Sequence, residues 1–211
     1  LELMDGKTLD ALDDHNATDH GTRGRAMLIV QTDGYGAREE MDVIEGVVSK
    51  ATSSFTATSD AAQSETLVEA RRGAIPAIGR RGTAFVGDVG VPRKHLGEMA
   101  REIVRIGDET GVDIYTIAHA GDGNLHPIVA LGPGEAIHTG GPKDAMDQMF
   151  WAAHRLGGTL TGEHGVGALK TDWLVPELGD HALGLLSAIK NAFDPRGILN
   201  PGKAIYPSVP A

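Results

Sequence analysis

Apolar positions along the chain recur with two different periods, and the switches between them outline the elements. Leu1-Glu2-Leu3-Met4-Asp5 reads as the end of a strand passing into a helix start near residues 8–12. Residues 13–25, rich in His, Asn, Asp, Thr and Gly, read as a flexible connection. The run Ala26–Thr32, closed by Asp33-Gly34, has the form of a buried strand. A helix follows over Ala37–Ala51, with Met41, Ile44, Val47 and Val48 on one face, and a second covers Ser59–Arg72 before Pro76 and Gly79 make the chain irregular. Ala84–Val91 alternates as a strand. The next helix enters at Pro92, carries Leu96, Met99, Ile103 and Ile106 inward and stops at Gly111. Strands at Val112–Ala120 and Leu125–Leu131 are joined by a tight turn. Two helices close the pattern. Pro142–Leu156 turns Met146, Phe150 and Ala153 inward and stops at Gly157-Gly158; Asp180–Phe193 packs Leu183, Leu186, Ile189 and Phe193. Because one connection is a hairpin and not a crossover, the alternation predicts an α+β fold. Its sheet is mainly antiparallel (ferredoxin-like) and covered by helices, with a helical segment after it.

Composition narrows the chemistry. The 211 residues include 29 glycines and 10 prolines, so tight turns are frequent, and no cysteine, which excludes a disulfide scaffold, a thiolate zinc site and a cysteine nucleophile. A net charge of −10 speaks against a duplex nucleic-acid binder. No apolar run approaches the ~18–20 residues of a membrane span. With no signal-like segment, a cytoplasmic location is the default expectation.

The most informative stretch is His119-Ala120-Gly121-Asp122-Gly123-Asn124-Leu125-His126. Asp-Gly between apolar runs signals a two-residue hairpin turn. A turn at Asp122-Gly123 pairs Ala120 with Leu125 and sets His119 directly opposite His126, on the same face and within reach of one metal ion. A surface hairpin with two ordinary histidines is the competing reading. A second cluster, Gly162-Glu163-His164-Gly165-Val166-Gly167, surrounds a Glu-His pair with glycines that let the backbone approach a ligand. In extended backbone Glu163 would turn to the two histidines and His164 to another chamber. Two histidines and a carboxylate leave a coordination position free, the pattern of a catalytic metal site; a plain Gly-rich turn is the alternative.

Three ordered motifs carry a family resemblance: HAGDGNLHP (119–127), GEHGVG (162–167) followed by Lys170, and FDPRGILNPGK (193–203). With LELMD (1–5), RRGAIPAIGR (71–80) and DVGVPR (88–93), they resemble the C-terminal half of FAD-linked oxidases and dehydrogenases of the vanillyl-alcohol oxidase superfamily. Within it the motifs resemble the glycolate oxidase flavin subunit and D-lactate or D-2-hydroxyglutarate dehydrogenases. The resemblance implies residues 1–140 as an α+β cap that binds substrate and 141–211 as a helical segment completing it and reaching toward the flavin. FAD would be held mainly by an N-terminal domain that this sequence lacks, so the chain alone is expected to be inert. It further implies His119, His126 and Glu163 as ligands of a divalent metal, zinc first, with manganese, cobalt or iron as alternatives. His164 becomes the general base, Arg71 the clamp on the carboxylate of a small 2-hydroxy acid, and Asn200 a contact to the flavin ring. Lys170 is expected at the surface or at a helix start, and Asp122 to serve the turn.

Two other function classes compete with this reading: a self-contained metal-dependent hydrolase and a non-catalytic metal-binding module. The expected partners are the N-terminal FAD domain of the same parent chain and an electron-transfer subunit, through which the parent enzyme would meet a membrane. An isolated cap would expose an apolar face, so the chain is expected to self-associate.

Overall fold

In the computed structural model, which describes residues 1–23 and 25–204, a mainly antiparallel sheet lies between two pairs of helices. The elements run β1 (Glu2–Asp5), α1 (Gly6–Asn16), α2 (His20–Arg23), β2 (Ala26–Ile29), α3 (Ala37–Val48), α4 (Ala61–Gly79), β3 (Thr83–Val86), β4 (Val89–Gly90), a 3₁₀ turn (Arg93–His95), α5 (Leu96–Thr110), β5 (Ile114–His119), β6 (Asn124–Leu131), α6 (Gly140–Arg155) and α7 (Thr171–Phe193). The strand order is β2-β1-β5-β6-β3, with β4 also paired to β6. The α+β expectation holds.

Alternation in β5 and β6 explains the two-sided core. Ile114, Ala118, Leu125 and Val129 face α5 and α6, where Met99, Ile103, Ile106 and Met149 are fully buried. Tyr115, Ile117 and Ile128 face the opposite way and join Met4, Leu9, Leu12, Ala74 and Ile78 of β1, α1 and α4. A strand buried on both faces has to be largely apolar at successive positions, and β5 is so apart from Thr116 until it reaches His119.

Several expectations need correction. The 13–25 connection is mostly helical: α1 runs to Asn16 and α2 follows, while Gly24 lies outside the described residues. The β2 run is an edge strand with alternating exposure, since among the described residues no strand pairs beyond it. Helix α4 does not end at Arg72 but continues through Pro76 to Gly79, because Ala74, Ala77 and Ile78 are buried in the core and offset the lost backbone bond. The 84–91 strand is interrupted at Gly87-Asp88. The last helix begins at Thr171, with a kink at Gly179, and leaves Ile189 56% and Phe193 83% exposed where packing was expected. The final residues, 205–211 of the expected C-terminal segment, lie outside the described residues.

Candidate functional site

The hairpin between β5 and β6 is wider than a two-residue turn. His119 pairs with Asn124, Ala118 with Leu125 and Ile117 with His126. Gly123, at φ 90°, is pinned from outside: its carbonyl accepts the Val91 N–H, and a β-carbon there would lie 2.1 Å from the Val91 carbonyl oxygen. Asp122 serves the turn, accepting the Asn124 N–H. The register thus differs from the expected one by two residues, which preserves side-chain parity. His119 and His126 are diagonal and not opposed, yet share a face, with ring centroids 5.1 Å apart.

Each imidazole has its Nδ1 committed. The β3–β6 register carries on into β4, so Gly87 stands opposite Pro127 and donates its N–H to the Pro127 carbonyl. Proline cannot return the bond. The freed Gly87 carbonyl lies 3.2 Å from His126 Nδ1. On the other side, Glu2 of β1 is the cross-strand neighbour of His119 and sets its carboxylate 2.7 Å from His119 Nδ1. A carbonyl or carboxylate partner makes Nδ1 the protonated nitrogen and leaves the Nε2 lone pair for other use. Both Nε2 atoms converge on Glu163 Oε1, at 3.5 Å from His119 and 3.1 Å from His126.

Glu163 arrives there because the 159–167 loop is folded around Asp88. This carboxylate is completely buried. It accepts the Thr161 hydroxyl and the successive N–H groups of Gly162, Glu163 and His164. Burial works to raise its pKa, but those donors and the Lys170 ammonium outweigh it and hold the carboxyl at about 2. Lys170, at the start of α7, is buried and not at the surface: Nζ donates to the carbonyls of Asp88 and Leu160 and lies 3.4 Å from Asp88 Oδ2. Gly162 permits the closeness, since a β-carbon would fall 2.3 Å from the Asn124 side chain. The curled backbone also corrects the expectation of a separate chamber for His164. Its ring stacks on His126, centroids 4.8 Å apart, and faces the same cavity.

That cavity, of about 180 Å³, is lined by Arg71, His119, His126, Glu163 and His164 at its polar end and by Ile75, Val86, Ile117 and Ile128 along its wall. Arg71 and Ile75 come from one face of α4. Arg71 Nε donates to Glu2 at 2.8 Å. Burial opposes ionisation of Glu2, yet the bonds from His119 and Arg71 prevail and keep its pKa below the usual value. Burial lowers the His126 pKa, favouring the neutral ring that a metal requires. Asn200 is not among the cavity-lining residues; it sits exposed in left-handed backbone, φ 44°, in a tail tied to the Gly167 carbonyl by the Ala204 N–H.

The donor set fits a metal. Ligand atoms held at 2.0–2.2 Å around a tetrahedral ion are about 3.3 Å apart, close to the two Nε2–Oε1 separations. A second grouping, Asp88 with His126 and His164, is also close enough. Asp88 is already saturated by its donors, so the His119–His126–Glu163 set is the better candidate. Glu2, Asp88 and the isoleucines of the wall were not singled out from sequence. The signals were present: Glu2 shares a strand face with buried Met4, and Asp88 heads the DVGVPR segment.

Comparison with known proteins agrees with this architecture. The family model described as "FAD linked oxidases, C-terminal domain" matches residues 1–204. The chain is 35% identical over 207 residues to the glycolate oxidase subunit GlcD of Bacillus subtilis, covering 96% of this chain and 44% of that protein. It is 31% identical over 214 residues to the mitochondrial D-lactate dehydrogenase [cytochrome] of Arabidopsis thaliana, covering 99% and 38%. Among solved structures, a 4-ethylphenol oxidase from Gulosibacter chungangensis, in complex with isoeugenol, superposes with a TM-score of 0.56 at 16% identity, covering 98% of this chain and 47% of that one; at that identity the likeness concerns the fold. The chain spans less than half the length of these relatives. Among the described residues, no helix is long and apolar enough to cross a membrane.

Proposed function

The chain belongs to the family of FAD-linked oxidase C-terminal domains, and on that premise we propose that it is the acid-binding part of an FAD-dependent enzyme oxidising small 2-hydroxy acids of the glycolate, D-lactate or D-2-hydroxyglutarate type. The observation that carries the reading is the convergence of His119 Nε2, His126 Nε2 and Glu163 Oε1 in a cavity that also presents a guanidinium and a third imidazole. His119, His126 and Glu163 would hold a divalent metal, zinc by the character of the donors. When bound, the metal supplies Lewis acidity toward the hydroxyl oxygen, and FAD supplies the acceptor for the electron pair leaving the α-carbon.

The chain's own residues do the rest. Arg71 has two Nη groups left after its bond to Glu2, and these pair with the acid's carboxylate in the bidentate way a guanidinium favours. His164 accepts the hydroxyl proton on a ring nitrogen, because His126 and Glu163 fix it against the ligand cluster. The aliphatic wall excludes water from the substrate's carbon end and suits a short apolar side chain. Asn200 is assigned to the flavin side, and FAD to an N-terminal domain of the parent chain. The parent enzyme is read as cytoplasmic, passing electrons to a partner subunit that can bring it to a membrane.

The test joins this chain to the flavin domain of its parent and follows flavin bleaching without oxygen on adding D-lactate, glycolate or D-2-hydroxyglutarate. One of the three should bleach it, and His164→Ala should slow the reduction about 10²–10⁴-fold. Failure of all three acids, or an unchanged rate in the variant, would sink the proposal.

A further inference from the structure

We propose that Glu2 is a positioning residue that joins the metal-ligand end of the site to its arginine end. This goes beyond the ligand set but rests on the reading of His119, His126 and Glu163 as that set. One carboxylate spends both oxygens on the site. Oε1 lies 2.7 Å from His119 Nδ1, and Oε2 accepts Arg71 Nε at 2.8 Å. Glu2 and His119 are direct strand neighbours in β1 and β5, whereas Arg71 descends from α4, so three elements meet at this one side chain.

Consider what each bond does. An anionic partner at Nδ1 fixes the ring's tautomer and orientation and makes Nε2 more basic, the arrangement by which carboxylates strengthen histidine ligands. His126 has only the neutral Gly87 carbonyl in that role. The two imidazoles are therefore unequal, and His119 becomes the stronger donor through Glu2. The second bond takes the guanidinium by Nε, which fixes the plane of the fork and leaves the Nη groups for an anion. An ion pair present only to stabilise the fold would have no effect on the affinity of Nε2 for a cation. Glu2 predicts such an effect, together with a local change at Arg71.

The experiment compares the purified chain with Glu2→Gln, which keeps the side chain's size. Zinc affinity is measured in competition with a chromophoric chelator, and ring tautomers and the Arg71 Nε–H resonance by ¹H–¹⁵N spectroscopy. In the zinc-free wild type, His119 should carry its proton on Nδ1. The variant should bind zinc 10–100-fold more weakly, show His119 as a mixture of tautomers and shift the Arg71 resonance, with His126 unchanged as an internal control. Zinc affinity within twofold of wild type in a folded variant would overturn the proposal, as would a wild-type His119 protonated on Nε2. If the variant does not fold, that wild-type tautomer alone decides. Lack of zinc uptake by the wild type overturns the metal reading instead, and the tautomer and Arg71 resonances then decide on Glu2.

Discussion

Asp88 shows how one side chain can set a loop. Its carboxylate gathers the N–H groups of Gly162, Glu163 and His164, so the proposed ligand and the proposed base take their places because of a residue more than seventy positions earlier. Removing its charge leaves Lys170 buried beside two carbonyls with only the more distant Glu177 carboxylate to offset it, close to the situation that costs about 3–5 kcal/mol in buried pairs. We expect Asp88→Asn to lose about 3 kcal/mol in denaturant unfolding at pH 7 and to release zinc; a loss below about 1 kcal/mol would contradict this account. The pH dependence has a definite sign. A carboxyl held at about 2 in the fold, against about 3.9 in an unfolded chain, contributes fully above about pH 4. That contribution, roughly 2–3 kcal/mol, disappears as pH falls from 4 toward 2. The wild type should lose it over that window, and Asp88→Asn should have a correspondingly flatter acid limb. The histidines and Glu163 were legible from motif and parity. Asp88 was not, because its partners come from a distant loop and nothing local in DVGVPR announces them.

At the level of elements, β6 carries a proline where its neighbours expect a donor. Pro127 leaves the Gly87 carbonyl to His126, and the gap between β3 and β4 is the visible trace of that exchange. We expect Pro127→Val to restore a ladder hydrogen bond, worth about 1 kcal/mol, while taking the carbonyl from His126 and weakening zinc binding about tenfold. Unfolding curves and chelator competition on the same preparation separate the two effects; equal zinc affinity would remove Pro127 from the account. The strand break was hidden in the sequence because Phe85, Gly87 and Val89 keep their alternation through it. The hairpin register was missed for a related reason: Asp-Gly specifies a turn locally, but the contact of Gly123 with Val91 decides how wide it is. A shift of two residues spared the functional reading, whereas a shift of one would have destroyed it. Helix α4 passes through Pro76 because burial outweighs the local rule.

For the whole molecule, the two-sided sheet was readable from strand–helix alternation, and its antiparallel character from one hairpin. The periphery was less so. Amphipathic spacing in α3 and the end of α7 promised burial, but Val47, Ile189 and Phe193 are exposed and the other stripe residues only half-buried. Periodicity shows that a helix has an apolar face, not what covers it. We expect the chain to self-associate through the α7 stripe, and the triple change Leu185→Ser, Ile189→Ser, Phe193→Ser to shift it toward monomer in analytical ultracentrifugation. A wild type that stays monomeric across a wide concentration range would refute this.

The span of the cluster has a consequence for timing. Its members run from Glu2 to His164, with partners separated by 117 residues at one bond and 76 at another, so no short nascent stretch holds a working coordination sphere. Cation capture can only follow closure of the sheet around its first strand, and long-range closures are slow. A metal held by these residues would therefore be a late seal on a finished scaffold, not a template for building it.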